Sequence, residues 1–112
     1  MIRSMALALG VLLSTVAFAD PIEGNWRTDS GETARISGGS TFTIVLQTGT
    51  HKGRRIGSLK ADGGGKYSGE ITDPANDKTY SGRGTLNGNN LQMKGCLKLL
   101  NWPCRTQNWQ RM

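Results

Sequence analysis

The chain has 112 residues, with 14 Lys and Arg against 8 Asp and Glu, one His and two Cys, for a formal charge of +6. That length carries one small domain rather than several, and with His51 as the only histidine beside two cysteines a metal site is a poor competitor for them. The basic excess favours anionic partners such as acidic polysaccharide, lipid headgroups or an acidic protein surface, although only Lys52, Arg54 and Arg55 cluster in sequence.

Arg3 precedes a short apolar run, Met5 to Val16, which ends in Ala17-Phe18-Ala19 before Asp20-Pro21. A positive start, a short apolar stretch and small residues at the cleavage position make a secretory signal peptide, with cleavage expected after Ala19. The run is too short to cross ~30 Å of hydrocarbon, which takes ~20 apolar residues, so no integral membrane segment is expected after cleavage. The expected organisation is a signal peptide over 1–19 and a single domain over 20–112, working in the periplasm or secreted. Loss of Arg3 with the signal leaves a charge of +5. A domain this small buries only about two thirds of its unfolded surface, so a covalent staple helps. In an oxidising compartment Cys96 and Cys104 are read as a disulfide. The loop it closes is short, so it contributes ~2–3 kcal/mol.

Beyond the signal there is no helical periodicity. Eight short runs read as strands between turn signals. Asn25 to Thr28 ends at Asp29-Ser30-Gly31, and Glu32 to Ser37 ends at Gly38-Gly39. In Thr41 to Gln47, Phe42, Ile44 and Leu46 alternate with Thr43 and Val45. Arg54 to Lys60 precedes a turn over Asp62-Gly63-Gly64-Gly65. Lys66 to Thr72 sets Tyr67, Gly69 and Ile71 on one face and ends at Asp73-Pro74 and Asn76-Asp77. Thr79 to Leu86 turns at Asn87-Gly88-Asn89, a hairpin signal. Leu91 to Leu97 and Cys104 to Arg111 complete the set.

Connections this short allow no parallel crossover, so the strands form a meander. Closing the meander removes its exposed edges. The expected fold is all-β: a small eight-stranded antiparallel up-and-down barrel, with a flattened sandwich as the runner-up. Such a barrel has room for packed side chains or one small ligand. Leu91, Met93 and Leu97 turn odd positions inward on the seventh strand, and Trp109 does so on the eighth. Cys96 and Cys104 then share the outer face near a hairpin end, where they can bond without reversing either strand.

Gly24-x-Trp26 at the start and Trp109-x-Arg111 at the end resemble lipocalin and avidin-like barrels. That resemblance implies that Trp26 closes the barrel floor with Arg111 stacked on its ring, a cation–π contact of ~0.5–2 kcal/mol. A longer match runs from Gly65 through Ile71-Thr72-Asp73-Pro74, Lys78-Thr79-Tyr80 and Gly95-Cys96 to Trp109-Gln110-Arg111. It resembles the domain of unknown function 2147 family of small secreted bacterial proteins, with their Gly-x-Trp start, Ile-x-Asp-Pro turn, Lys-Thr-Tyr strand and Trp-x-Arg end. The resemblance covers most of residues 22 to 112. It departs after the fourth strand, where many members carry an Asp/Asn/Pro-rich insertion and this chain has only the Asp62 to Gly65 turn. It implies a fold and no activity.

Catalytic arrangements are sparse. His51 lies in a Gly-rich loop among cations and reads as a solvated histidine rather than the base of a nucleophilic site. Glu70, Asp73 and Asp77 are close enough in sequence for a glycosidase-like pair, but short acids beside Pro74 and Asn76 serve turns. Gly63-Gly64-Gly65 has no helix after it to bind phosphate. No metal, cofactor or catalytic residue is expected, and no nucleic acid, since no exposed aromatics interleave the basic cluster.

Two binding regions are candidates. Tyr67, Tyr80, Arg105, Gln107 and Trp109 face inward and could line a small cavity of mixed polarity, with Trp102 beside them. Inward Gly69, Gly82 and Gly84 either make room for a ligand or serve bending and close packing. Lys52, Arg54 and Arg55 could form an anion-contact rim at one barrel mouth. Trp102-Pro103, between the cysteines, either caps the barrel or stands out as an anchor for a partner. The function expected is a non-enzymatic envelope protein binding a small anionic or amphipathic component. The alternative is a protein–protein module such as a periplasmic enzyme inhibitor. A hydrolase would have only the turn carboxylates to use.

Overall fold

Alternating apolar and polar side chains set the strands, and glycines with short polar residues end them. In the computed structural model, which describes residues 20–112, the strands are β1 (Gly24–Arg27), β2 (Thr33–Gly38), β3 (Phe42–Leu46), β4 (Arg55–Gly63), β5 (Lys66–Asp73), β6 (Lys78–Asn87), β7 (Asn90–Leu97) and β8 (Cys104–Arg111). The signal peptide expected over 1–19 lies outside the described residues. Each strand pairs antiparallel with its neighbour in sequence, and β8 returns to β1 through Trp26↔Arg111 and Arg27↔Gln110, closing an eight-stranded barrel. No edge is left to pair with another chain.

Two details depart from the expected boundaries. β4 continues past Lys60 to Gly63, and the turn shrinks to Gly64-Gly65, with φ of 63° and 78°. Positive φ at both central positions is the turn geometry that matches the strand twist here, and glycine adopts it with no steric cost. A β-bulge also interrupts the β3–β4 ladder, where Ile44 pairs with Gly57 but Val45 pairs with Arg55. The extra residue, Ile56, turns into the interior and is buried, while Arg55 stays exposed.

Inward residues from every strand but β6 fill the barrel: Trp26, Ala34, Ile36, Phe42, Ile44, Leu46, Ile56, Leu59, Tyr67, Leu91, Met93 and Trp109, joined by Ile22 from the segment before β1 and by the partly buried Leu86 of β6. The inward glycines serve close packing. A Cβ at Gly69 would stand 1.9 Å from the Ser58 carbonyl oxygen, and one at Gly82 would stand 2.8 Å from Ile71 Cδ1. At Gly84 the neighbour is Met93 Sδ, 3.3 Å away. No ligand space is left at these three positions.

Cys96 and Cys104 face each other at the last rung of the β7–β8 ladder and are disulfide-bonded.

Candidate functional site

The two ends of the barrel differ in construction. One end is plugged by residues 20–23, which fold across it before β1. Ile22 is fully buried, and its carbonyl accepts the Trp26 indole N–H at 2.9 Å. Arg111 lies over the same indole, its Cζ 4.3 Å from the ring centroid. Its guanidinium also donates to the carbonyls of Glu23, at 3.2 Å, and of Pro21. Trp26 and Arg111 thus hold the floor together with backbone that precedes the first strand.

Tyr67 belongs to this floor and not to the cavity proposed for it from the sequence. Its ring meets Phe42 edge-on at 6.0 Å, and its hydroxyl donates to Asp20 Oδ1 at 2.5 Å. The same carboxylate oxygen accepts the Ile22 N–H at 3.0 Å. Burial, then the bond to Asp20 and its negative charge, push the Tyr67 hydroxyl well above the usual tyrosine range.

The other end is open. Here the β1–β2, β3–β4 and β5–β6 connections border a cavity of about 360 Å³, within the size range of small-molecule sites. Leu46, Ile56, Ile71, Met93 and Trp109 make its apolar base. Tyr80, Arg105 and Gln107 also line it, as the inward register of β6 and β8 implied. Gln107 Oε1 accepts the Trp109 indole N–H at 2.9 Å, which fixes both side chains at the base of the opening.

The rim is polar. Thr28, Ser30, Glu32, His51, Thr72 and Asp73 complete it. Asp73 Oδ1 accepts the Ala75 N–H at 2.9 Å in the turn that leaves β5. Glu32 packs over Gly49, where φ is 89°, a backbone conformation that favours glycine. Arg105 forms no ion pair among the described residues.

The placements of His51 and of the basic cluster differ from those expected from the sequence. His51 is half-buried and turned to the cavity rather than free in a loop. Lys52, Arg54 and Arg55 do sit at this mouth, but they do not act as a unit: Arg54 pairs with Asp77 and donates to the Pro74 carbonyl at 3.3 Å, while Arg55 faces outward on β4. Trp102 does not cap the opening, being 71% exposed. The carboxylates weighed as an acid/base pair diverge: Glu70 binds Lys98 on the outer wall, Asp77 binds Arg54, and Asp73 serves its turn.

The class these features define is a small, closed, disulfide-bonded β-barrel with one plugged end and one open end. Residues 45–111 match the model of the family described as uncharacterized protein conserved in bacteria (DUF2147), and the chain belongs to that family. The matched span begins within β3 and takes in the whole of β4 to β8, while Gly24-x-Trp26 lies outside it. No curated protein and no solved structure matches the chain.

Proposed function

We propose that the protein is a non-enzymatic binding protein of the bacterial envelope, periplasmic or secreted, that holds a small amphipathic anion in the open mouth of its barrel. The observation that carries this reading is the pairing of an apolar base (Leu46, Ile56, Ile71, Met93 and Trp109) with Arg105, a cation without a carboxylate partner, at the rim of the same 360 Å³ cavity. An apolar tail on that base would remove about 25 cal/mol of free energy per Å² of apolar surface it hides from water. The head group would take charge-assisted hydrogen bonds from the guanidinium. An exported location is supported by the apolar run at 5–16 and by the disulfide between Cys96 and Cys104.

Native mass spectrometry after gentle purification tests this reading. A retained small molecule, lost on organic extraction, is the expected result. A protein that carries nothing, or that co-purifies with a second polypeptide and no small molecule, would count against it, the latter in favour of a protein–protein module.

A further inference from the structure

The outer wall gathers cations that are scattered in the sequence. In register, Lys60 pairs with Ser68, Ser68 with Arg83, Arg83 with Lys94 and Lys94 with Thr106. This row crosses β4 to β8, and Lys60, Arg83 and Lys94 are all exposed along it. Lys66 stands two residues along β5 from Ser68. Like charges directly opposite each other destabilise a sheet, yet Arg83 and Lys94 are direct partners. None of these four cations forms an ion pair among the described residues. The acids nearby are Asp62 at the far turn and Glu70, whose carboxylate is taken by Lys98.

The β7–β8 loop stands at one end of this wall. Leu99 is 95% exposed, Leu100 72% and Trp102 71%. No acidic residue lies between Leu97 and Arg105, and Lys98 and Arg105 flank the apolar tip. The disulfide clamps the base of the loop, and Asn101 N–H donates back to the Leu97 carbonyl at 2.7 Å. The Lys98–Glu70 pair reaches across to β5, so the foot of the loop is tied to the same outer face that carries the cations.

We propose that the β4–β8 wall and the β7–β8 loop together dock this barrel on the surface of an anionic lipid bilayer. Leu99, Leu100 and Trp102 enter the boundary between headgroups and acyl chains, where tryptophan is favoured. Lys60, Lys66, Arg83 and Lys94 face the headgroup phosphates. Lasting attachment to a bilayer takes an apolar insertion and a basic patch together, and here the two are continuous. Charge complementarity selects the bilayer over an apolar groove on a protein, which would leave the row of cations unanswered. The remaining wall residues, among them Ser58, Ser81, Thr85, Gln92 and Asn108, are polar, so the barrel lies on the bilayer and does not cross it.

Vesicle flotation tests the proposal. Residues 20–112 hold every strand of the closed barrel, so that chain is used and the apolar run at 5–16 contributes nothing. It should float with vesicles of phosphatidylethanolamine and phosphatidylglycerol and stay behind with phosphatidylcholine. Tryptophan emission should shift to the blue, reporting Trp102 because Trp26 and Trp109 are already buried. The loop variant Leu99→Asn/Leu100→Asn/Trp102→Ser and the wall variant Lys60→Ser/Arg83→Ser/Lys94→Ser should each bind at least about ten-fold more weakly. The wall variant should also lose its salt dependence. All these positions are exposed, so the urea midpoint should stay close to that of wild type in both. The proposal is overturned by an absence of flotation, by equal flotation with neutral vesicles, or by a loss confined to one variant. Binding to a soluble acidic polysaccharide that needs the wall but not the loop would replace the bilayer with a glycan and overturn it too.

Discussion

The floor and the mouth of this barrel are made from the same eight strands but solve opposite problems. At the floor, the segment before β1 crosses the opening, and the aromatic side chains there are tied to other parts of the chain: Trp26 to Ile22 and Arg111, Tyr67 to Asp20 and Phe42. At the mouth no segment crosses among the described residues, and apolar side chains from β3 to β8 end in an open cavity under a polar rim. Residues 20–23 and the end of β8 meet at the floor, and the cavity lies at the other end. The disulfide sits at the open end, where no covering segment holds β7 to β8.

The contrast is broken most directly by removing the floor. Trp26→Ala should cost ~3–5 kcal/mol, as for other buried aromatics truncated to alanine, read as a drop in urea midpoint. Trp102→Ala, in an exposed loop, should stay within about 0.5 kcal/mol of wild type. Equal shifts would mean that the floor does not hold the fold.

The mouth should depend on its staple by a smaller amount. Replacing both cysteines with serine should cost ~2–3 kcal/mol. Amide exchange should quicken first in β7 and β8 near the mouth, while Trp26 and its neighbours keep their protection. Exchange that quickens uniformly would remove the distinction between the two ends.

A pH titration sharpens the comparison with the smallest effect. The Tyr67 hydroxyl is held above its unfolded value of about 10, so its contribution is complete below about pH 10 and falls away as pH rises beyond that. Wild type should lose urea midpoint above about pH 10 relative to its neutral value. Tyr67→Phe should lack that part of the loss and start from a lower midpoint. Parallel curves for the two proteins would show that Tyr67 is not coupled to folding.

Much of the fold could be read from alternation and turns. Phe42, Ile44 and Leu46 announce β3, Asn87-Gly88-Asn89 marks a hairpin, and the shared outward parity of Cys96 and Cys104 is the register that the ladder adopts. The candidate site was legible only in part, because parity gives the face of a strand and not the end of a barrel. Tyr67 and Tyr80 both point inward near the start of their strands. Antiparallel neighbours start at opposite ends, so one tyrosine joins the floor and the other the mouth. Ile56 enters the cavity through a bulge that no local pattern in Arg55-Ile56-Gly57 marks. The cations of the outer wall lie far apart in sequence and meet only through the ladder.

Binding of an amphipathic anion at the mouth, through Arg105 and an apolar base, is the proposal on which the functional reading rests. Titration of wild type and Arg105→Ala with a medium-chain fatty acid and with the matching alcohol tests it most directly. Arg105 is exposed, so both proteins should share one urea midpoint. Wild type should bind the acid more tightly than the alcohol, and Arg105→Ala should lose about ten-fold or more for the acid with no change for the alcohol. Acid binding that is absent from wild type, or unchanged in Arg105→Ala, would contradict the assignment of the mouth as the ligand site.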